Sequence, residues 1–167
     1  AMDGRNSIPA AIEAGAAALL SAGEVTGKGA VTLTAGTPRR ALAQVAARFY
    51  PEQPGQCVAI TGTNGESSTV DFLRQIWELI GEKAASFGTT GVKAPGLDLP
   101  GGLTTPDPVG LHRLLATLKE HGATHAAMEA SSHGLDQRRL DGVKVAASAL
   151  TNVARDHMDY HPTSANY

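Results

Sequence analysis

The sequence predicts an α/β protein whose mostly parallel sheet is covered by helices. Beyond residue 55, apolar runs typical of strands alternate with segments of helical periodicity. Glycine and proline account for 19 and 9 of the 167 residues and lie between these runs, which indicates many short turns. Because ligands collect beyond the carboxyl ends of strands in such sheets, the residues that follow each strand are the candidates for function.

The first stretch of the chain predicts a short α/β segment. Pro9 stands where a helix begins, and an alanine-rich sequence up to Ala17 continues it. Short apolar runs at 19–20 and 31–33 predict two strands.

A second helix is predicted after Thr37 and Pro38, a capping residue followed by a proline. Its apolar residues repeat at helical spacing and form one face: Leu42, Val45, Ala46 and Phe49. Five turn-forming residues at 51–55 then separate two periodic segments. We therefore expect one domain in residues 1–50 and another in residues 51–167.

The second domain begins with a buried strand at 57–61, a glycine loop and a helix. One face of this helix carries Leu73, Ile76, Trp77 and Ile80, and we expect Trp77 in the core. The later segments predict a strand at 84–87, a loop at 91–102, a helix at 108–120 and strands at 126–128 and 143–150. The histidines at 112, 121 and 125 are expected at the surface.

The glycine loop at 62–65 lies between a buried strand and a helix, which is the setting of a phosphate site. Compared with the pattern G-x-x-x-x-G-K-[ST], only Gly65 and Ser67 match. Ile60 occupies the place of the first glycine, and Glu66 occupies the place of the lysine. The pattern alone leaves two interpretations open, a phosphate site and a structural turn.

Glu66 has the wrong charge for a polyphosphate. At ~4 Å and an effective dielectric constant of about 20, a contact between unit charges is worth up to roughly 4 kcal/mol. A glutamate in the first turn of a helix also complements the helix dipole. Our hypothesis is that Glu66 stabilises the empty loop and disables its use of nucleotides.

Charge and cysteine content exclude several classes of protein. The 14 basic and 16 acidic residues give a net charge of −2, so neither nucleic acid nor an anionic membrane is an expected partner. A single cysteine, Cys57, excludes an internal disulfide and favours a reducing compartment. No apolar stretch is long enough to span a bilayer and no leader opens the chain, so we expect a cytoplasmic location.

Four motifs carry a resemblance to a known family. They are TGTNGESST at 61–69, LTTP at 103–106, MEASSH at 128–133 and TNVARDHMDYH at 151–161. In this order and at this spacing they resemble those of the Mur ligases, most closely the MurE type, the UDP-N-acetylmuramyl-tripeptide synthetases. Residues 3–5 and 8–9 also look like the end of the uridine-binding N-terminal domain of that type. The resemblance covers the whole chain and about a third of the family's length.

The resemblance implies an enzyme of peptidoglycan synthesis that uses ATP and Mg²⁺ to add an amino acid to UDP-MurNAc-L-Ala-D-Glu through an acyl phosphate. The implied ATP-phosphate site comprises Gly62, Thr63, Asn64, Gly65, Glu66, Ser67 and Ser68. The implied substrate site comprises Thr104, Thr105, Ser131, Gln137 and Arg139. Glu129 and His157 are the implied catalytic residues, and the implied magnesium ligands are Ser67, Glu129 and His157.

Two departures from the family pattern suggest an inactive fragment. Glu66 stands where the family has lysine, and the chain stops at Tyr167, before the family's carbamylated lysine. The alternatives are a non-catalytic nucleotide or UDP-sugar binding module and another amide ligase, such as folylpolyglutamate synthetase. The added amino acid, lysine or meso-diaminopimelate, stays open. With part of a parallel sheet missing, we expect an exposed strand edge that promotes self-association.

Overall fold

A computed structural model describes residues 4–27, 29–102, 104–154, 160, 161 and 163. The chain divides into two compact units, Ala1–Leu42 and Ala43–Tyr167. The division falls within a helix, and the domain boundary expected at residue 51 stays a prediction.

The first unit begins with a 3-10 turn and a short helix. Its elements are the turn Gly4–Ser7, α1 (Ile8–Glu13), β1 (Ala18–Ser21), β2 (Val31–Thr34) and the start of α2 (Pro38–Phe49). The two strands pair in parallel, which confirms both predicted strands. Helix α1 is shorter than predicted because Gly15, at a φ of 88°, adopts the left-handed conformation that commonly ends helices.

Helix α2 begins at Pro38 as predicted, but its apolar stripe is largely exposed. Val45 and Phe49 are 60% and 75% exposed, whereas Ala43 and Ala46 are buried. The buried residues of α2 are therefore small alanines rather than its large apolar residues.

The second unit is built on a six-stranded sheet. Its elements are β3 (Gln56–Thr61), α3 (Glu66–Leu79), β4 (Ala84–Gly88), β5 (Gly91–Ala94), β6 (Leu97–Leu99), α4 (Pro108–Glu120), β7 (His125–Glu129), α5 (Ser132–Asp136) and β8 (Val145–Leu150). The strand order is β6-β5-β4-β7-β3-β8. Neighbours among β4, β7, β3 and β8 are parallel, and β5 and β6 pair antiparallel at one edge. The predicted mostly parallel α/β fold is confirmed.

The strand order creates a switch point at β3. Within the sheet, β4 lies two places from β3 on one side, and β8 lies next to β3 on the other side. Crevices for ligands form at the carboxyl ends of strands where the connections diverge in this way. The ends of β3, β4 and β7 therefore bring Thr61, Gly88 and Glu129 to one edge of the sheet.

Apolar side chains pack on both faces of the sheet. Under α4 the cluster includes Cys57, Phe87, Leu111, Leu115, Leu118 and Met128. Under α3, Val70, Leu73 and Trp77 pack with Ile60 and Ala127, and Trp77 is partly buried against this cluster. The buried stripe of α3 follows the positions 70, 73 and 77, so Ile76 and Ile80 lie beside it and are 54% and 71% exposed.

Three sequence expectations are wrong in the second unit. The segment 91–102 contains the β5–β6 hairpin rather than only loop, because Pro95 and Gly96 (φ 67°) form a turn and Val92 and Leu97 pack on the core. The short helix α5 was missed. His112 is buried, not superficial: its Nε2 lies 3.2 Å from the Asp141 carbonyl oxygen.

Burial shifts the pKa values of two buried groups, His112 and Cys57, in opposite directions. It lowers the pKa of His112, because the interior disfavours the charged imidazolium. It raises the pKa of the Cys57 thiol to about 11, because it disfavours the thiolate. Both side chains are therefore neutral parts of the packing rather than reactive groups.

The expected exposed strand edge is β8. All six of its residues are exposed, and within the described chain β3 is the strand that pairs with it. Self-association through this edge stays a prediction. None of the described helices has the length and apolar character needed to cross a bilayer.

Candidate functional site

The glycine loop joins the end of β3 to the start of α3. Gly65, at a φ of 92°, is in the left-handed conformation and offers no side chain to cap the helix. The N–H and hydroxyl of Thr69 donate to the Gly65 carbonyl at 2.9 and 2.7 Å, which closes the first turn. Glu66 and Ser67 follow in that turn, so the positive end of the α3 dipole opens next to the loop.

The segment after β8 holds the loop in shape. The Thr63 N–H donates to the Asn152 carbonyl at 3.1 Å. The Asn64 carbonyl accepts from the Thr151 hydroxyl at 2.9 Å and from the Asn152 amide at 2.7 Å. A Cβ at Gly62 would overlap with the Thr151 hydroxyl, so the close approach of Thr151 to the loop requires glycine at position 62. Thr151 and Asn152, the two residues that follow β8, therefore fix the shape of the glycine loop.

Glu129 lies at the end of β7 and is 3% exposed. Its two carboxylate oxygens accept from the Thr89 hydroxyl at 3.1 and 3.2 Å. The same Thr89 oxygen lies 2.9 Å from the Ser67 hydroxyl. Thr89 thus joins the first turn of α3 to the buried carboxylate.

Thr105 connects the 104–106 loop to the same strand end. It is 2% exposed, and its hydroxyl donates to the Glu129 carbonyl at 3.1 Å. The Ser131 N–H donates to the Thr105 hydroxyl at 3.0 Å, and the Ser131 hydroxyl caps α5 by accepting from Gly134 at 3.1 Å. A Cβ at Gly134 would lie 2.9 Å from Thr105, so the packing here is tight.

Gln137 and Arg139 extend this network beyond α5. The Arg139 guanidinium donates to the Thr105 carbonyl at 2.5 Å and to the Gln137 side-chain oxygen at 2.8 and 3.2 Å. The Gln137 amide donates to the Tyr160 hydroxyl at 3.3 Å, and that hydroxyl donates to Asp136 at 2.6 Å. Arg139 therefore links the 104–106 loop to α5 by contacts within the protein.

The structure brings most of the sequence-predicted site residues to one edge of the sheet. Ser67, Glu129, Thr105 and Ser131 are connected by hydrogen bonds, directly or through Thr89. The other residues of the predicted site lie next to them: Gly62, Thr63, Asn64, Gly65, Glu66, Ser68, Thr104, Gln137 and Arg139. His157 lies outside the described residues.

The donors at this edge suit a hard divalent cation. The described part of the chain holds no cluster of three or more His, Cys, Asp and Glu side chains. Glu129 and Ser67 nonetheless offer a carboxylate and a hydroxyl, and Mg²⁺ is commonly bound by one or two carboxylates together with water and substrate phosphates. These residues therefore fit Mg²⁺ as a group shared with a bound phosphate.

Sequence reasoning missed Gly88 and Thr89. A Cβ at Gly88 would overlap with the Glu129 carboxyl group, and Thr89 bonds to that same group. Both residues stand at the end of β4, so the rule that indicated the residues after β3 and β7 would also have indicated these.

A glycine loop between a central parallel strand and a helix, with polar side chains at the neighbouring strand ends, defines the P-loop-like class of α/β domain. A sequence model described as the Mur ligase middle domain matches residues 60–167. The chain belongs to the Mur ligase family.

Two relatives in the family are more than half identical to this chain over the aligned residues. The chain is 56% identical over 166 residues to the UDP-N-acetylmuramoyl-L-alanyl-D-glutamate--2,6-diaminopimelate ligase of Rhizobium meliloti (strain 1021), which covers 99% of this chain and 34% of that protein. It is 60% identical over 143 residues to the ligase of the same name from Mesorhizobium japonicum, covering 86% and 30% of the two chains. The chain thus spans about a third of the length of the curated relatives it matches.

Solved structures agree on the fold. A structure of a UDP-N-acetylmuramoyl-L-alanyl-D-glutamate--2,6-diaminopimelate ligase superimposes with a TM-score of 0.81 at 30% identity, covering 98% of this chain and 33% of that one. The MurF ligase of Thermotoga maritima, solved in complex with ADP, gives a TM-score of 0.59 at 17% identity over 99% and 35% of the two chains. The second likeness shows the fold alone.

Proposed function

We propose that the protein of which this chain forms a part is a MurE-type ligase of peptidoglycan precursor synthesis. It uses ATP to join 2,6-diaminopimelate to the γ-carboxylate of UDP-MurNAc-L-Ala-D-Glu. One observation carries the proposal: Ser67 of the glycine-loop region and the buried Glu129 meet through Thr89 at the strand ends. The names of relatives with 56–60% identity support diaminopimelate as the added amino acid.

In the first step, an oxygen of the γ-carboxylate attacks the γ-phosphorus of ATP, so that ADP leaves and an acyl phosphate forms. Backbone N–H groups of residues 64–66 hold the ATP phosphates at the positive end of α3. Ser67, Glu129 and His157 would hold Mg²⁺, which would offset charge on the transferred phosphoryl group. The protein's main task in this step is to position charge rather than to supply a nucleophile.

In the second step, the amine of the incoming amino acid attacks the acyl carbon, and inorganic phosphate leaves. Thr104, Thr105, Ser131 and the Gln137–Arg139 pair hold the UDP-MurNAc-dipeptide. The bond from Arg139 to the Thr105 carbonyl, at 2.5 Å, keeps two parts of this substrate site at a fixed separation. A fixed separation favours the reaction because the acyl phosphate is then held where the amine arrives.

The proposal extends to domain organisation and location. Residues 1–50 form the end of a UDP-binding N-terminal domain, and residues 51–167 form the first part of the ATPase domain. A cavity of about 560 Å³ within the first unit, beside Arg5, Ile8 and Glu24, is a candidate for contacts with the nucleotide end of the substrate. The enzyme acts in the cytoplasm, where ATP and its UDP-linked substrate occur.

A ligase assay on the full-length protein tests this function. We expect the Glu66→Lys variant to release phosphate when ATP, Mg²⁺, UDP-MurNAc-L-Ala-D-Glu and diaminopimelate are all present, and not when lysine replaces diaminopimelate. The protein with Glu66 should be at least about 100-fold slower, because its carboxylate repels the ATP phosphates. Absence of product from both proteins would contradict the proposal.

Glu66 also favours a second candidate function, a module that binds UDP-MurNAc-dipeptide without catalysis. A carboxylate at this position leaves the substrate residues Thr105, Ser131 and Arg139 intact while opposing ATP. Binding of UDP-MurNAc-L-Ala-D-Glu by both proteins, with ATP hydrolysis by neither, would favour the module over the ligase.

A further inference from the structure

We propose that Thr89 is a positioning residue that orients Glu129 and Ser67. These are the two candidate Mg²⁺ ligands that lie within the described residues. The inference rests on the proposed function, because it concerns the cation site of that reaction. Thr89 directly follows β4, whereas Ser67 lies in the first turn of α3 and Glu129 ends β7. One hydroxyl therefore joins three elements of the fold at the edge where the site forms.

The hydrogen-bond directions follow from the chemistry of the three groups. An ionised carboxylate accepts hydrogen bonds and donates none. The single Thr89 hydroxyl hydrogen is therefore directed to Glu129, whose oxygens lie at 3.1 and 3.2 Å. It is not available for Ser67, so in the 2.9 Å contact Ser67 donates and Thr89 accepts.

This direction prepares Ser67 to bind a cation. A hydroxyl coordinates a metal through an oxygen lone pair, not through its hydrogen. Because the Ser67 hydrogen points to Thr89, the lone pairs of Ser67 face away from Thr89. Thr89 thus restrains the Glu129 carboxylate and orients the Ser67 oxygen with one functional group.

The backbone around Thr89 is fixed by the fold. Gly88 pairs with Gly91 in the antiparallel β4–β5 ladder, so Thr89 and Thr90 form a two-residue hairpin turn. Every residue of β4 is buried, and Gly88 leaves room for the Glu129 carboxyl group. Thr90 occupies the other position of the same turn and serves as a matched control.

Titration of Mn²⁺, followed by the electron paramagnetic resonance signal of the free ion, tests the inference on the full-length protein. Thr89→Val keeps the side-chain shape and removes the hydroxyl, and we expect it to weaken Mn²⁺ binding about tenfold, as loss of an outer-shell partner commonly does. Thr89→Ser should restore binding, and Thr90→Val should leave it unchanged. A merely structural role would not give rescue by serine with an unchanged melting temperature.

The outcomes separate this inference from the proposed function. If Glu129→Gln weakens Mn²⁺ binding and Thr89→Val does not, the role of Thr89 is overturned and the cation site stands. If the unmodified protein binds no Mn²⁺ that depends on Glu129, the cation site of the proposed function fails and the inference fails with it. Should Thr89→Val melt at a lower temperature, Thr89→Ala replaces it, and equal Mn²⁺ affinity of Thr89→Ala and the unmodified protein overturns the inference.

Discussion

Replacing Glu66 with lysine is expected to raise the affinity of the full-length protein for Mg·ATP by at least about 100-fold. The substitution removes a negative charge and adds a positive one at the start of α3, where the phosphates are proposed to bind. A unit-charge contact at ~4 Å contributes up to roughly 4 kcal/mol at an effective dielectric constant of about 20. Because Glu66 is only half-buried, screening by solvent reduces this figure. A tenfold change in affinity corresponds to about 1.4 kcal/mol.

Isothermal titration calorimetry with a non-hydrolysable ATP analogue measures this effect. Glu66→Gln should fall between the two proteins, because it removes repulsion without adding attraction. Glu120→Lys makes the same change of net charge at an exposed position near the end of α4 and should leave the affinity unchanged. Equal affinities of the unmodified protein and Glu66→Lys would refute the role given to Glu66.

A methyl group at Gly88 is expected to displace the Glu129 carboxylate. The added Cβ would overlap with Cγ, Cδ and Oε1 of Glu129, a side chain that is 3% exposed and bonded to Thr89. Overpacking of this kind typically costs about 1–3 kcal/mol in the free energy of unfolding. Gly88→Ala should therefore destabilise the protein and weaken Mn²⁺ binding together.

A double-mutant cycle in urea isolates the cause. In the Glu129→Ala background the clash is absent, so Gly88→Ala should cost at least about 1 kcal/mol less than in the unmodified protein. Gly102→Ala is the matched control, because a Cβ there meets no atom within 4 Å. An equal cost of Gly88→Ala in both backgrounds would show that Glu129 does not lie against this glycine.

Most of the second unit could be predicted because its elements are locally encoded. Pro108 followed by apolar residues at helical spacing gave α4 its correct bounds, and the structure adds a cap at Asp107. The buried strands β3, β4 and β7 are short apolar runs ended by glycine or polar residues. The hairpin at 91–99 was missed although Pro95 and Gly96 are a turn signal, because the glycines around it favoured a loop.

The internal contacts of the site could not be predicted in the same way. Ser67 and Glu129 were identified through motifs, but their connection depends on Thr89. This residue is 22 positions from Ser67 and 40 from Glu129 along the chain. The burial of His112 likewise depends on the carbonyl of Asp141, 29 residues away. Contacts of this kind are set by the strand order, which places β7 between β3 and β4 and which periodicity does not reveal.

The most direct test of the proposed cation and phosphate site is the anomalous scattering of Mn²⁺. It is measured in crystals of the full-length Glu66→Lys protein with a non-hydrolysable ATP analogue. We predict a manganese peak within coordination distance of the Ser67 hydroxyl and the Glu129 carboxylate, with the phosphates on the amides of residues 64–66. A manganese peak that touches neither side chain, beside phosphates bound elsewhere, would contradict the account.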